Sequence, residues 1–310
     1  MAFFYALPGA VAQGLIWGLM AIGVYISYKI LDIADLTVDG SICTGACICA
    51  VLLGQGINPW ICVLVALLAG ALAGMVTGLL HTALGIPSIL AGILTQLMLY
   101  TVNLCILGGK SLLAVDPRAN DLIVHMSNNG SSILMLGAIV TVVIVGLWLF
   151  FYTEVGLTLK STGDNPDMSR AQGVDVKFNK VLGLSIANGI VALSGALLAQ
   201  YKGSASINDG RGAIVIGLAA IFIGLSVSMK IKPNFVVSLI GVIGGGIIYY
   251  IVYNFVILLG LKTDYLKMLS AIIVALFLGI PYLRATYFTK HKDLHPSDLT
   301  AKETGGKGNA

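Results

Sequence analysis

Seventy consecutive residues without a formal charge limit what this chain can fold into. From position 40 to position 109 the sequence contains no Asp, Glu, Lys or Arg, and His81 is the one side chain there that ionises near neutral pH. A helix needs about 20 apolar residues to cross a bilayer, so this block is long enough for two or three crossings. Only 10% of all 310 residues are charged, against about 25% in soluble domains. The sequence therefore predicts an all-α, polytopic transmembrane bundle.

Proline, glycine and charged residues divide the chain into nine predicted spans. They lie near 8–28, 37–55, 59–80, 88–107, 132–152, 180–200, 212–229, 235–257 and 266–283. An odd number of spans places the two termini on opposite sides of the membrane. Because Lys and Arg are enriched in cytoplasmic loops, we expect a cytoplasmic C-terminus, which leaves 12 of them inside and six outside. We expect a multi-pass cell-membrane protein with a transmembrane domain over 1–285 and a polar, disordered tail over 286–310.

Two halves of the chain share a weak internal repeat. Asp-Gly at 39–40 precedes Pro59 and Leu-Gly at 84–85, and the same series recurs as Asp-Gly at 209–210, Pro233 and Leu-Gly at 259–260. Five spans separate corresponding helices, so the two copies would be inverted in the membrane. Inverted repeats with a site at their interface are a transporter architecture.

The predicted spans carry few groups that could couple transport to an ion gradient. Only Asp39 and His81 could serve, and a secondary transporter usually keeps an ionisable residue inside a span. The chain also has no nucleotide-binding P-loop, because "GGKS" at 108–111 has Leu104 where the first glycine of that motif should stand. If ATP powers this protein, a separate subunit hydrolyses it. We predict no metal site, since the five cysteines lie in apolar runs without ligand partners.

The polar segment 154–176 interrupts the apolar sequence at its midpoint. Within it, Asn165 is suited to cap a short helix, Pro166 to its first position, and Gly173 to the left-handed residue that ends it. A two-turn helix is marginal alone in water, so we predict that it docks in a groove of a cytoplasmic ATPase. The alternative is a solvated loop that joins two spans.

Two motifs carry a resemblance to a known family. The stretch "LKSTGDNPDMSRAQGV" (159–174) resembles the cytoplasmic coupling loop of ABC importer permeases of the branched-chain amino acid/ribose type. The stretch "ADLTVDGSICTGA" (34–46) resembles the start of the central second helix in the subgroup paired with binding proteins for tryptophan, tyrosine and related solutes. The resemblance assigns coupling to the ATPase to Asp164, Asn165, Pro166, Met168, Arg170, Ala171 and Gly173.

The same resemblance implies a set of partners and a direction of transport. It implies two permease copies in a homodimer, a cytoplasmic ATPase that holds ATP and Mg, an extracytoplasmic binding protein and inward movement of a small solute. The chain itself would bind no cofactor and no nucleic acid, and would be surrounded by lipid. The rival hypotheses are an autonomous secondary transporter or channel, and an intramembrane enzyme, for which we find no catalytic constellation.

Polar side chains within the spans are candidates for the translocation path, because a carboxamide can both donate to and accept from a zwitterionic solute. The alternative role is hydrogen bonding between helices. Asp39 and Gly40 form a candidate gate, or Asp39 caps its own helix. The path candidates are Thr95, Gln96, Asn103, Asn188 and Asn254.

Overall fold

The computed structural model describes residues 2–115, 122–126, 129–228 and 234–258, with four isolated positions after residue 258. The long helix α1 (Ala2–Tyr25) continues into a π-helical turn (Ile26–Ile30). The other elements, in chain order, are α2 (Val38–Gly54), α3 (Pro59–Thr82), α4 (Ser88–Ile106), β1 (Leu112–Ala114), α5 (Asn129–Phe151), α6 (Glu154–Asp164), α7 (Pro166–Ala171), α8 (Val176–Lys202), β2 (Ser204–Ser206), α9 (Ala213–Ser228) and α10 (Phe235–Leu258).

Apolar composition makes most of these helices membrane-spanning candidates. Within the described ranges, six helices are long and apolar enough to cross a bilayer, and two shorter apolar helices, Val38–Gly54 and Ala213–Ser226, accompany them. The prediction of an all-α polytopic membrane protein is confirmed. The ninth predicted span, 266–283, falls almost wholly outside the described residues, and the predicted tail 286–310 falls outside them altogether.

Helix α8 is the centre of the bundle and packs against α1, α2 and α3. Its residues from Ala187 to Tyr201 are all buried. The helices approach so closely that a Cβ on Gly45 of α2 would collide with the backbone oxygen of Ala192, and one on Gly74 of α3 with that of Leu184. Backbone contact through small residues is how membrane helices gain packing energy without a hydrophobic driving force between them.

The short helices α2 and α9 both begin half-way along α8. Ser41, in the first turn of α2, donates a 2.7 Å hydrogen bond to Oδ1 of Asn188, which lies near the middle of α8. After α8 the chain returns beside α2, where the Cys43 thiol donates to the Ile207 carbonyl and accepts from the Gly210 N–H. At 17 and 16 residues, each helix spans about 25 Å, less than a hydrocarbon core of about 30 Å.

The two ends of α8 carry different structures. At its start, Nδ2 of Asn179 donates to Oγ1 of Thr162 in α6 at 3.0 Å, which fixes α6 and α7 against this end of the bundle. Just beyond its other end, β2 pairs antiparallel with β1, so that Leu112 is opposite Ser206. Because α8 has 27 residues, these two regions are separated by about 40 Å.

Candidate functional site

A cavity of about 280 Å³ lies between α2, α4 and the segment that precedes α9. It is in the half of the bundle nearest the β1–β2 ladder, since it is bounded by the first turns of α2 and the second half of α4. Four residues predicted from the sequence line it, namely Asp39, Gly40, Gln96 and Asn103. Its other polar or aromatic lining groups include Cys43, Tyr100 and Arg211.

Asn103 brings an unsatisfied polar atom to this cavity. The residue is 1% exposed, and its Oδ1 has no hydrogen-bond partner among the described residues. More than nine in ten buried polar groups in folded proteins are hydrogen-bonded, because an unpaired buried acceptor destabilises the fold. Asn103 therefore brings to the cavity wall a buried carboxamide whose oxygen is left unpaired among the described residues.

Asp39 does not cap its own helix, so that part of the prediction is wrong. Its two carboxylate oxygens accept hydrogen bonds from the backbone N–H groups of Gly212, at 3.0 Å, and Ile214, at 2.9 Å. These groups belong to the start of α9, where unpaired backbone donors and the helix dipole favour an anion. Asp39 thus joins the first turn of α2 to the first turn of α9, a link between distant segments that the local sequence could not show.

Gly40 lets α4 approach α2 at the cavity. A Cβ at this position would lie 2.9 Å from Cδ1 of Leu99 and 3.2 Å from its Cβ. The close approach brings Gln96 and Asn103 of α4 beside the first turn of α2. Whether Gly40 takes part in gating stays a prediction.

Arg211 lines the cavity, and the sequence analysis did not select it as a candidate site residue. Its side chain is exposed, and no ion pair joins it to a described residue. It is one of the six Lys and Arg residues that the sequence analysis placed outside the cell. Its position directly after the repeated Asp-Gly motif was the signal that could have identified it. Both Asp-Gly pairs meet here, since a Cβ on Gly210 would collide with the Asp39 carbonyl.

The remaining path candidates lie elsewhere. Thr95 is buried and donates to the Ala91 carbonyl of its own helix. Asn254 donates to the Tyr250 carbonyl and borders a separate small cavity beside α1. Their assignment to a translocation path stays a prediction.

Asn188 belongs to a buried polar network rather than to the cavity. Its Nδ2 donates a 2.6 Å hydrogen bond to Oδ2 of Asp35, while Oδ1 of that carboxylate accepts from the Thr37 N–H. Asp35 is 2% exposed, and the sequence analysis missed it because it stands between two predicted spans. The network fixes the non-helical segment before α2 to the middle of α8.

The polar segment 154–176 forms two helices at the opposite end of the bundle. As predicted, Asn165 caps α7 by accepting from the Met168 N–H at 3.0 Å, Pro166 is its first residue, and Gly173 is left-handed with φ of 83°. The preceding helix α6 was not predicted. The Met168 side chain is 60% exposed, and Arg170 pairs with Asp167 in the open, so this face is available to a partner.

Comparison with known proteins matches the chain to one family over nearly its whole length. Residues 7–279 match the family described as the permease component of the branched-chain amino acid transport system. The chain belongs to this family. It is 38% identical to the tyrosine transport system permease protein of Clostridioides difficile, over 94% of this chain and 96% of that protein.

More distant relatives also match the chain. An uncharacterised protein of Rickettsia prowazekii is 30% identical over 87% of this chain and 95% of its own length. The autoinducer 2 import system permease protein LsrC of Escherichia coli is 30% identical over 60% of this chain and 55% of its own length. No solved structure matches the chain. The permease is therefore a membrane subunit of an ABC transport system and not an enzyme, as the sequence analysis predicted.

Proposed function

We propose that this permease imports a small solute, an aromatic or other amino acid, with energy from a separate ATPase that docks on α6 and α7. The main support for this proposal is the geometry of that segment. Helix α7 is short and capped and has a largely exposed methionine, and the hydrogen bond between Asn179 and Thr162 holds the segment on the bundle. A helix this short is marginal alone, and its fixed position gives a partner a rigid surface to move. The name of the Clostridioides difficile relative supports an aromatic amino acid as solute.

The proposed topology is nine spans with an inverted repeat. In the first half, the long helix α1 is followed by a non-helical segment, the short helix α2 and the long helix α3. In the second half, the long helix α8 is followed by a non-helical segment, the short helix α9 and the long helix α10. Helix α1 runs antiparallel to α8, since Ile16 contacts Ser194 and Gly23 contacts Ala187. Corresponding helices that run in opposite directions are what an inverted repeat requires.

The proposed assembly has a cytoplasmic ATPase, which holds ATP and Mg, on the α6–α7 face, and an extracytoplasmic binding protein at the β1–β2 end. A second copy of the permease completes the translocation path in a homodimer. The two ends of α8 are separated by about 40 Å, which exceeds the thickness of the hydrocarbon core. This distance supports the placement of the two partners on opposite sides of the membrane.

The test is co-purification of the permease with the ATPase encoded in its own genome. A permease with Met168→Asp and Arg170→Glu should lose the ATPase, because the variant places acidic charge on the exposed docking face. The matched control carries Lys110→Glu and Leu112→Asp, the same types of change on exposed residues at the opposite end of the bundle. We expect the control to retain the ATPase.

Two outcomes would contradict the proposal. The docking assignment is wrong if the α7 variant retains the ATPase as well as the wild type does. The ABC importer hypothesis as a whole is wrong if the wild type binds no ATPase and yet carries solute into liposomes alone, which would favour the secondary transporter.

A further inference from the structure

We propose that the cavity between α2, α4 and residues 207–211 binds the solute directly, as a zwitterionic amino acid. In this site the Arg211 guanidinium binds the carboxylate, and Oδ1 of Asn103 accepts a hydrogen bond from the ammonium group. The inference rests on the proposed function, because a solute site has meaning only in a subunit that moves solute. It adds the chemical groups of the solute that the permease itself recognises, a carboxylate and an ammonium group.

The unpaired positive charge of Arg211 favours an anionic group in the ligand. The Asp39 carboxylate already accepts two backbone hydrogen bonds at the start of α9. Arg211 has no ion pair with any described residue. A guanidinium can bind a carboxylate through two parallel hydrogen bonds, which fixes the orientation of the ligand as well as its position.

The unsatisfied Asn103 oxygen favours a hydrogen-bond donor in the same ligand. Its residue is almost fully buried in the cavity wall, so a ligand that lacks an N–H or O–H donor would leave this oxygen unpaired. A buried polar atom left without its partner is what makes a site reject such analogues. Together, Arg211 and Asn103 select a solute that carries both a carboxylate and a donor.

The size and the apolar lining favour a small solute with an aromatic or aliphatic side chain. The volume of about 280 Å³ is at the lower limit for ligand pockets, which are typically about 300–1,000 Å³. Tyr100 and Leu97 on α4 supply the apolar side. The Tyr100 ring is 45% exposed, so an aromatic solute can pack against it.

Protection of an introduced thiol tests the site without a binding protein. Leu97 lines the cavity, so we would reconstitute a Leu97→Cys permease with its ATPase and follow maleimide reaction at that position by peptide mass spectrometry. Cys105, an exposed cysteine on the same helix that does not line the cavity, is the internal control. We expect L-tyrosine to slow reaction at position 97 and to leave Cys105 unaffected.

Analogues and variants then test the two contacts separately. Tyramine, which lacks the carboxylate, and 3-(4-hydroxyphenyl)propionate, which lacks the ammonium group, should each protect at about tenfold higher concentration than L-tyrosine, because each loses a hydrogen bond to a charged group. Arg211→Gln should abolish the preference for L-tyrosine over tyramine, and Asn103→Leu the preference over the propionate. Lys110→Gln, a loss of positive charge at an exposed position outside the cavity, should change neither preference.

Two results would overturn the inference. One is equal protection by L-tyrosine and tyramine in the wild type; the other is an Arg211→Gln permease that keeps the wild-type preference. Either result leaves the proposed function intact as long as the ATPase stays bound in the same preparation. Loss of the ATPase from the wild type would count against the proposed function and not against this site.

Discussion

At the scale of single residues, the polar side chains inside the bundle divide into those with protein partners and those without. Asn188 and Asn103 are both buried asparagines in apolar helices, and nothing in their local sequence distinguishes them. Their difference lies in residues far along the chain, since Asp35 and Ser41 satisfy Asn188 while Oδ1 of Asn103 has no described partner. The sequence could therefore identify both as candidates and could not assign their roles.

The first prediction at this scale concerns the stability that Asn188 provides. Asn188→Leu should lower the free energy of unfolding by about 3 kcal/mol, because it removes the hydrogen bond to Oδ2 of the buried Asp35 carboxylate and leaves that oxygen unpaired. Thr95→Val, which removes a buried hydroxyl bonded only within its own helix, should cost less than about 1 kcal/mol. Thermal unfolding of the purified permease in detergent compares the two. Similar losses in both variants would show that the Asp35–Asn188 contact is unimportant for stability.

At the scale of secondary-structure elements, apolar runs predicted the long helices well. The span predicted near 180–200 is α8, from Val176 to Lys202, and the span near 59–80 is α3, from Pro59 to Thr82. The caps of α7 were also predictable, because Asn, Pro and Gly at fixed spacing determine the local backbone. Helix α6 was missed since its polar, threonine- and glycine-containing sequence has no apolar run. The mid-depth starts of α2 and α9 were missed because they depend on packing against α8.

The prediction at this scale concerns close packing of helices. Gly45→Ala should prevent α2 from seating on α8, because the added methyl group would collide with the Ala192 carbonyl. We expect aggregated or low-yield protein in size-exclusion chromatography. Gly137→Ala on α5 is the matched control, since a Cβ there meets nothing within 4 Å, and alanine favours a helix over glycine by up to about 1 kcal/mol. A well-behaved Gly45→Ala protein would contradict this account of the α2–α8 contact.

At the scale of the whole molecule, the composition was sufficient to predict a polytopic bundle, whereas span number and orientation depend on a few loop charges. The inverted repeat stays a prediction that the antiparallel order of α1 and α8 supports. Short repeated motifs could suggest it, but the Asp-Gly pairs do not occupy equivalent places: Asp39 is in the first turn of α2, while Asp209 precedes α9 and pairs with Lys202.

The prediction at this scale is the orientation of the chain. A fluorescent reporter that folds only in the cytoplasm should fluoresce when it is fused after Ala310 and stay dark when it is fused before Met1, because nine spans place the termini on opposite sides. A cysteine introduced by Ser206→Cys, in β2, should react with an impermeant maleimide added to intact cells, while one introduced by Thr158→Cys, in α6, should not. Fluorescence from both fusions would require an even number of spans.

The mid-depth starts of α2 and α9 also limit how the permease can move. The segments before these helices have backbone amides and carbonyls that lipid cannot satisfy, and each unsatisfied group in hydrocarbon costs several kcal/mol. Throughout a transport cycle, residues 31–37 and 203–212 must therefore stay covered by protein or by water. The motions compatible with that condition keep α1, α2, α8 and α9 as one unit and shift the lipid-exposed helices around it. Alternating exposure of the solute would then arise at the outer helices, with an unchanging centre.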